Sequence, residues 1–473
     1  MSQPDRTFLS ITRIGSLLSR LLRPWDWWRR IDPDDDERRD DDLGRATTRV
    51  QARVIRRAFD GEIAGATEDG SRTKDDADAA YFFRPGYALF RADRMEEING
   101  FFERRREDFD GELIIEDRQR GVPGLLSVRL PARRDEHDEV LRTLQDLEAE
   151  VAPDSDGRPA ASPDHVLYVV NTGHLCPYGE PEEPRTDAPV PRFDSSRADG
   201  EGVRVSVVDT GWWPKAATQH TWLHAGVVAD PQDIEVINQA AIQEYGGHGT
   251  FVAGIVKCAA PSAHVQVEGA LTHGGAVLES EIVEQLHQAY HEHGDPQLIS
   301  ISAGTHSRNN FRLIGFDALA DALGVLGTKT LVIAAAGNDS STKPFWPAAF
   351  GWAVGVGAVD PDAKVAKYSN HGPWVKVYAR GTDHVNAFPV GTYTCYEPQN
   401  IHNGVPDVRN FKGLAQWSGT SFATPVVTGL IAAEMSRSGN LKDPSAAYAT
   451  VFGAGIPGTD PDGNAITIVG PLT

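Results

Sequence analysis

From about residue 201 onward, short runs of apolar residues alternate with stretches whose apolar positions recur at helical spacing. The runs at 203–208, 265–269, 298–302, 331–335 and 353–359 are strand-length and rich in apolar residues. Such runs fit strands of a covered sheet, and the segments between them, such as 281–289 and 316–326, are helix-like. The alternation predicts an α/β domain over 201–473, a parallel sheet with helices on both faces.

A smaller unit precedes it, over 80–172. Tyr87-Ala88-Leu89-Phe90, Leu113-Ile114-Ile115, Leu125-Leu126-Ser127-Val128 and 166–170 are strand-like. Met95, Ile98, Phe101 and Phe102 mark one helix; Val140, Leu141, Leu144 and Leu147 mark another. The order βαββαβ predicts a small α+β, ferredoxin-like sandwich. Between the two units, 173–200 is rich in Pro, Glu and Asp and is expected to be an extended, mobile linker.

The first 79 residues differ from both. Ile11, Ile14, Leu18, Leu21, Leu22 and Trp25 share a helical face, with Arg13, Arg20 and Arg23 opposite. A basic amphipathic helix followed by Trp27 and Trp28 suits a membrane surface or a partner protein's groove, so 7–30 is a candidate contact of either kind. The competing reading is a helix docked on its own protein. Residues 32–42 hold eight acids and two arginines, and disorder is expected to persist to about 78.

Charge and cysteines narrow the setting. A formal net charge of −21 argues against sequence-independent nucleic-acid binding, which needs Lys and Arg on phosphates. The three cysteines, Cys176, Cys258 and Cys395, are too few and scattered for a disulfide framework, and Cys258 is expected to be a small buried apolar residue. No apolar run is long enough to span a bilayer, and the N-terminus lacks a secretory pattern, so a cytoplasmic location, with membrane association through 7–30 as an option, is expected.

The chemistry lies in four short motifs. Asp209 ends an apolar strand in Val207-Val208-Asp209-Thr210-Gly211, and His248 sits between glycines in Gly246-Gly247-His248-Gly249-Thr250. Ser421, in Gly419-Thr420-Ser421-Phe422-Ala423-Thr424-Pro425, opens an apolar helical run. A serine at a rigid turn, a histidine to take its proton and an aspartate to orient the ring form a nucleophile–base–orienter set. Asn338 closes the strand Ala334-Ala335-Ala336-Gly337-Asn338, and its side-chain N–H, with the backbone N–H of Ser421, suits an oxyanion. Each motif alone has a structural explanation, as a cap or a turn; their joint occurrence in this order points to acyl transfer.

In these motifs, residues 200–455 resemble the subtilisin (S8, subtilase) family of serine peptidases. The resemblance implies that Asp209 orients His248, that His248 serves as general base and then acid, and that Ser421 attacks the carbonyl. It also implies that Ser302-Ala303-Gly304 pairs with substrate backbone as an added strand, a mode in which the main chain gives affinity and side-chain pockets give selectivity. Protein or peptide is then the substrate. No cofactor is required; many relatives bind structural calcium, but no contiguous oxygen-ligand loop is present here. By position and topology, 80–172 resembles the inhibitory propeptide domain of such proteases, so autoinhibition by the N-terminal regions is expected.

Departures from the family leave specificity open. The loop from Asn338 to Trp346 is compact, Trp212 and Trp213 are bulky, and 382–416 is an insertion carrying Phe388, Tyr393, Cys395, Tyr396 and Phe411. His287, His291 and His293 lack the His-Glu-x-x-His pattern and are expected on a solvated helix face, not at a metal. Alternatives to hydrolysis are a transpeptidase or cyclase using the same acyl-enzyme, and a binding protein with a permanently blocked site. A sedolisin-type acid peptidase shares the serine turn, but His248 in the base position favours the neutral-pH mechanism.

Overall fold

The computed structural model describes residues 33–472, apart from 117–120, 136–137, 170–178, 189, 192–193, 195, 236–240, 272–273 and 293; of 33–43 only the backbone is described. The expectations for 7–30, Cys176 and His293 therefore lie outside the described residues.

The expected α/β domain is present. Its nine-stranded sheet runs, edge to edge, Ile456–Thr459, Ala465–Val469, Val377–Arg380, Ala353–Val359, Leu331–Ala335, Leu298–Ile301, Arg204–Val208, His264–Glu268, Val227–Ala229. All neighbours pair in parallel except the first two, which form an antiparallel hairpin. Successive side chains take opposite faces, so a strand covered on both sides is mostly apolar along its length, with small polar residues where a partner meets them. Ser300 meets Thr428 of the helix Thr420–Ser438 on one face. Ile299 and Ser206, one register step away, line a space with Leu286 and Tyr290 of the helix Glu279–Glu292 on the other.

The strand order also places the site. From Arg204–Val208 the chain proceeds to the edge strand Val227–Ala229 and back to His264–Glu268 on one side, then crosses to Leu298–Ile301 on the other. Connections leaving in opposite directions open a crevice at the C-terminal ends of such strands. Asp209, Ser302 and Asn338 all follow the C-terminal ends of neighbouring strands there.

The smaller unit has the predicted topology. Tyr81–Arg91, Ile114–Ile115, Leu125–Arg129 and Ala161–Tyr168 form an antiparallel sheet in which the fourth strand lies beside the first, then the third, then the second. Phe90, Ile98, Phe101, Val128, Leu144 and Leu147 join its helices Met95–Arg104 and Leu141–Glu150 to that sheet in one core.

Three expectations change. The boundary at 172 is crossed by the sheet, because Ala276–Leu278 of the larger domain pairs antiparallel with Ala161–Tyr168. The segment expected to be a disordered spacer is a helix, Pro33–Ala58. Its buried Thr48, Gln51, Ala52 and Ile55 fall at i, i+3, i+4 and i+7, too short a stripe to stand out behind an acidic run. Arg56 and Arg57 in its last turn complement the helix dipole, and Arg45, Arg49 and Arg56 pair with Asp78, Asp75 and Asp76. Finally, the described part of the linker is anchored: Glu182 exchanges backbone hydrogen bonds with Gln416, and Trp417 Nε1 donates to the Gly179 carbonyl at 3.0 Å.

Candidate active site

Asp209 is fully buried, and its Oδ1 lies 2.7 Å from Nδ1 of His248. It follows the strand Arg204–Val208, whose end puts the carboxylate beneath the first turn of the helix His248–Ala259. A Cβ at Gly249 would stand 3.0 Å from the Gly211 nitrogen and 3.2 Å from Asp209 Cβ, so this glycine lets the histidine helix settle onto the aspartate loop. Gly247 has a φ of 85° and faces Phe388 and Pro389 so closely that a side chain has no room. Its N–H donates to both oxygens of Glu235, at 2.9 and 2.8 Å, and burial pushes that carboxyl up to about 8.

The insertion, expected either to cover the cleft or to pack on the surface, braces this turn from behind. Its strands His384–Thr394 and Val408–Trp417 pair as a hairpin, and the Tyr393 hydroxyl accepts from the Tyr245 N–H at 3.2 Å. The rings of Trp417 and Phe422 flank the His248 ring, each with centroids 5.2 Å away. Trp212 and Trp213 are buried, with the Trp213 N–H donating to Thr250 Oγ1 at 2.9 Å.

Ser421 is the second residue of the helix Thr420–Ser438. Pro425 has no N–H to return to the Ser421 carbonyl four residues earlier. That carbonyl accepts instead from Ser302 Oγ at 2.9 Å, which ties the serine turn to the neighbouring strand end. The Ser421 hydroxyl donates to the Ser302 carbonyl at 3.4 Å, and no described hydrogen bond joins it to His248.

Asn338 is held by its acceptor side. Its Oδ1 takes hydrogen bonds from Thr420 N–H and Oγ1, both 2.9 Å, which turns Nδ2 toward Gly419. A Cβ at Gly419 would stand 3.6 Å from Asn338 Nδ2 and 3.7 Å from the Ser421 nitrogen, so both donors border one small space. Asn370 fixes the loop beyond, donating to the Ala336 carbonyl and accepting from Asp339 and Ser341 N–H.

Ser302, Ala303 and Gly304 are buried at the strand end, and the edge they form is occupied. Tyr168 N–H donates to the Gly304 carbonyl at 3.1 Å, and Gly304 N–H donates back at 3.2 Å. Val169 N–H donates to the Gly275 carbonyl at 2.9 Å on the opposite side. The end of the smaller unit's last strand therefore lies between two backbone edges of the larger domain. The N-terminal helix closes over it: Tyr168 packs with Ala52 and Ile55, and Gln51 Nε2 donates to Glu397 Oε1 at 3.0 Å. Tyr245 OH donates to the same oxygen at 3.2 Å, and burial beside Glu180 pushes Glu397 up to about 7.

The sequence picks of Asp209 and His248 are brought into direct contact, and Ser421, Asn338 and Ser302 into one linked network. Sequence reasoning gave no role to Glu235, Thr420, Asn370 or Tyr168; of these Thr420 lies inside the serine motif and Asn370 inside the family-like stretch Tyr368-Ser369-Asn370-His371-Gly372. His287 and His291 lie on the helix Glu279–Glu292, with His291 exposed beside Asp295. Among the described residues, no group of three or more His, Cys, Asp or Glu is placed to hold a metal, and no helix is long and apolar enough to cross a membrane. Cys258 and Cys395 are free, and burial pushes both thiols up to about 12.

The family described as "Subtilase family" matches residues 200–456. A thermophilic serine proteinase of Bacillus sp. (strain AK1) is 28% identical over 250 residues, covering 50% of this chain and 53% of that relative. Thermitase of Thermoactinomyces vulgaris is 28% identical over 259 residues, covering 52% of this chain and 80% of thermitase. The chain thus spans about half the length of the first of these relatives, at 53%. Among solved structures, a cold-adapted subtilisin-like serine proteinase aligns with a TM-score of 0.44 at 21% identity, over 63% of this chain and 99% of the other.

Proposed function

We propose that this chain, which belongs to the subtilase family of serine peptidases, is an endopeptidase that cleaves peptide bonds through Asp209, His248 and Ser421 and is held in check by its own N-terminal regions. The observation that carries this reading is the buried 2.7 Å contact between Asp209 and His248 Nδ1, which reserves Nε2 for the proton of a nucleophile. Asp209 holds the ring in the tautomer that accepts a proton at Nε2. Turning of the Ser421 hydroxyl from the Ser302 carbonyl toward Nε2 starts the reaction, because hydrogen bonds of this kind tighten only in the complex with substrate.

Ser421 Oγ attacks the substrate carbonyl carbon while its proton passes to His248. The carbonyl oxygen gains the negative charge and is met by Asn338 Nδ2–H and the Ser421 N–H. His248 then gives its proton to the departing amine as the C–N bond breaks, leaving an acyl-enzyme. Water, deprotonated by the same histidine, hydrolyses the ester and restores Ser421.

Restraint follows from the occupied edge. Substrate adds to Gly304 by its main chain, and the Tyr168 backbone already uses both of that glycine's groups. The N-terminal helix and the buried Asp164–Ser280 bonds hold the strand in place. Residues 7–30 complete the proposal as a surface anchor; their deletion should abolish co-sedimentation with anionic liposomes if they bind a membrane.

The test is the intact mass of the full-length chain with and without a fluorophosphonate probe, beside Ser421→Ala. One adduct, lost in the variant, is the expected result. Peptide cleavage unchanged in Ser421→Ala would sink the mechanism. Product masses from the same chain separate hydrolysis from transfer of the acyl group to an amine.

A further inference from the structure

The space next to the nucleophile is closed by a side chain that sequence reasoning left unassigned. Resting on the endopeptidase reading, the register of the occupied edge defines where a substrate lies. In an antiparallel pair, a step of two along one strand is a step of two back along the other. A chain whose one residue faces Gly304, as Tyr168 does, places its next residue but one opposite Ser302. The Ser302 carbonyl is 3.4 Å from Ser421 Oγ, so the residue opposite Ser302 carries the carbonyl that is attacked. With that carbonyl oxygen drawn toward Asn338, the same residue's side chain must enter between 302–304 and 334–338.

Phe345 stands in that gap and is only 3% exposed. A Cβ at Gly304 would overlap the Phe345 ring and lie 2.6 Å from the Trp346 carbonyl oxygen; one at Gly337 would lie 3.1 Å from the same ring. The ring thus reaches from one wall to the other. It is also wedged. Thr305 and Trp346 exchange backbone hydrogen bonds of 2.9 Å each, pinning the segment behind it. His306 packs its ring edge-on, 5.2 Å away, with one nitrogen 3.0 Å from Asp339 Oδ2 and the other 3.0 Å from the Pro344 carbonyl.

We propose that Phe345 determines specificity by filling the pocket beside Ser421, so that the enzyme cleaves after small residues such as alanine and serine and rejects leucine, phenylalanine and tyrosine. Well-packed protein does not make room for added methylenes without strain. Discrimination in an apolar pocket runs on the order of 10–200-fold per methylene, so a phenylalanine substrate should fall behind an alanine one by at least about 10-fold.

The test uses the full-length chain, Phe345→Ala and Phe345→Leu, each incubated with a peptide pool varied at one position, with Ser421→Ala as background. The unaltered chain should favour cleavage after Ala over Phe by about 10-fold or more. Phe345→Ala should reverse the preference, and Phe345→Leu, which keeps most of the packing, should fall between. Efficient cleavage after Phe or Leu by the unaltered chain overturns the proposal. So does an unchanged ratio in a variant whose Ser421 still labels. Failure of the endopeptidase reading looks different: no fluorophosphonate adduct and no Ser421-dependent product from any chain, including one whose restraint is loosened by Asp164→Ala, which removes both ideas.

Discussion

Tyr168 and Gly304 exchange both of their backbone hydrogen bonds, at 3.1 and 3.2 Å, and so join the last strand of the smaller unit to the edge on which a substrate would lie. Main-chain pairing of this kind makes few demands on side chains, which lets one segment of a chain serve as its own occupant. The restraint is then only as strong as the interface that holds the strand. Three side-chain links stand out in it: Asp164 with Ser280, His165 with Glu279 at 3.1 Å, and Glu148 with Arg308.

Weakening this interface should raise activity. Asp164 accepts from the Ser280 N–H at 3.0 Å and its hydroxyl at 2.8 Å, with no exposure to solvent. Asp164→Ala leaves those donors buried without that acceptor, at about 1–3 kcal/mol. Fluorophosphonate labelling of the full-length chain should speed up several-fold. Slower labelling in a variant that remains folded would contradict the inhibitory role.

Asn338→Ala should lower kcat by about 10²–10³ with little change in KM, the size measured for loss of one such donor in a subtilisin. Steady-state kinetics on a cleavable peptide decide it. An equal rise in KM with kcat kept would assign Asn338 to ground-state binding instead.

Ser302→Ala should cost both stability and rate. Its hydroxyl supplies the hydrogen bond that Pro425 cannot give to the Ser421 carbonyl. Losing it leaves that carbonyl unpaired, at about 1–3 kcal/mol. Thermal unfolding should show the loss, and Ser302→Thr, which keeps a hydroxyl, should recover part of it.

The interface should also respond to pH. Burial pushes Glu279 up to about 8 from an ordinary value of 4.5, and burial holds His165 well below its usual 6.5. Between 4.5 and 8 the folded chain keeps a proton on Glu279 that the unfolded chain has released, so stability falls as pH rises. Below 6.5 the unfolded chain takes a proton that folded His165 refuses, so stability there rises with pH. The two oppose each other up to about 6.5, and from there to about 8 the Glu279 loss stands alone of the pair. Melting of a Ser421→Ala chain, which cannot digest itself, should drop across that upper window. Glu279→Gln keeps an acceptor for the Gly315 N–H and should flatten the drop; Glu235 and Glu397, also raised, leave a remainder.

Much of the architecture was legible because it repeats a period. Strand-length runs rich in apolar residues marked the parallel strands, since much of that sheet is covered on both faces. The βαββαβ order of the smaller unit followed from alternating strand and helix patterns. The helix Pro33–Ala58 was not legible, because its acidic start dominates the composition and, among its buried residues, only Ala52, Val54 and Ile55 are apolar beside Gly44, Thr48 and Gln51. The anchored linker escaped for a similar reason: Glu180 is buried and accepts from Tyr396, Glu397 and Asn400, and no local pattern announces partners so far along the chain.

By itself, the sequence determined the reaction class: Asp209, His248, Ser421 and Asn338 each stand in a motif whose glycines and apolar flanks set the local backbone. Only the tertiary structure decided what occupies the backbone edge at Gly304 and how much room lies beside Ser421. Tyr168 meets Gly304 through backbone groups that every residue but proline carries, so side-chain identity does not encode the pairing. Phe345 fills its gap only because two separate strand ends meet its ring with glycines, Gly304 and Gly337. Motifs specify chemistry through local geometry, whereas occupancy and volume depend on which distant surfaces the fold brings together.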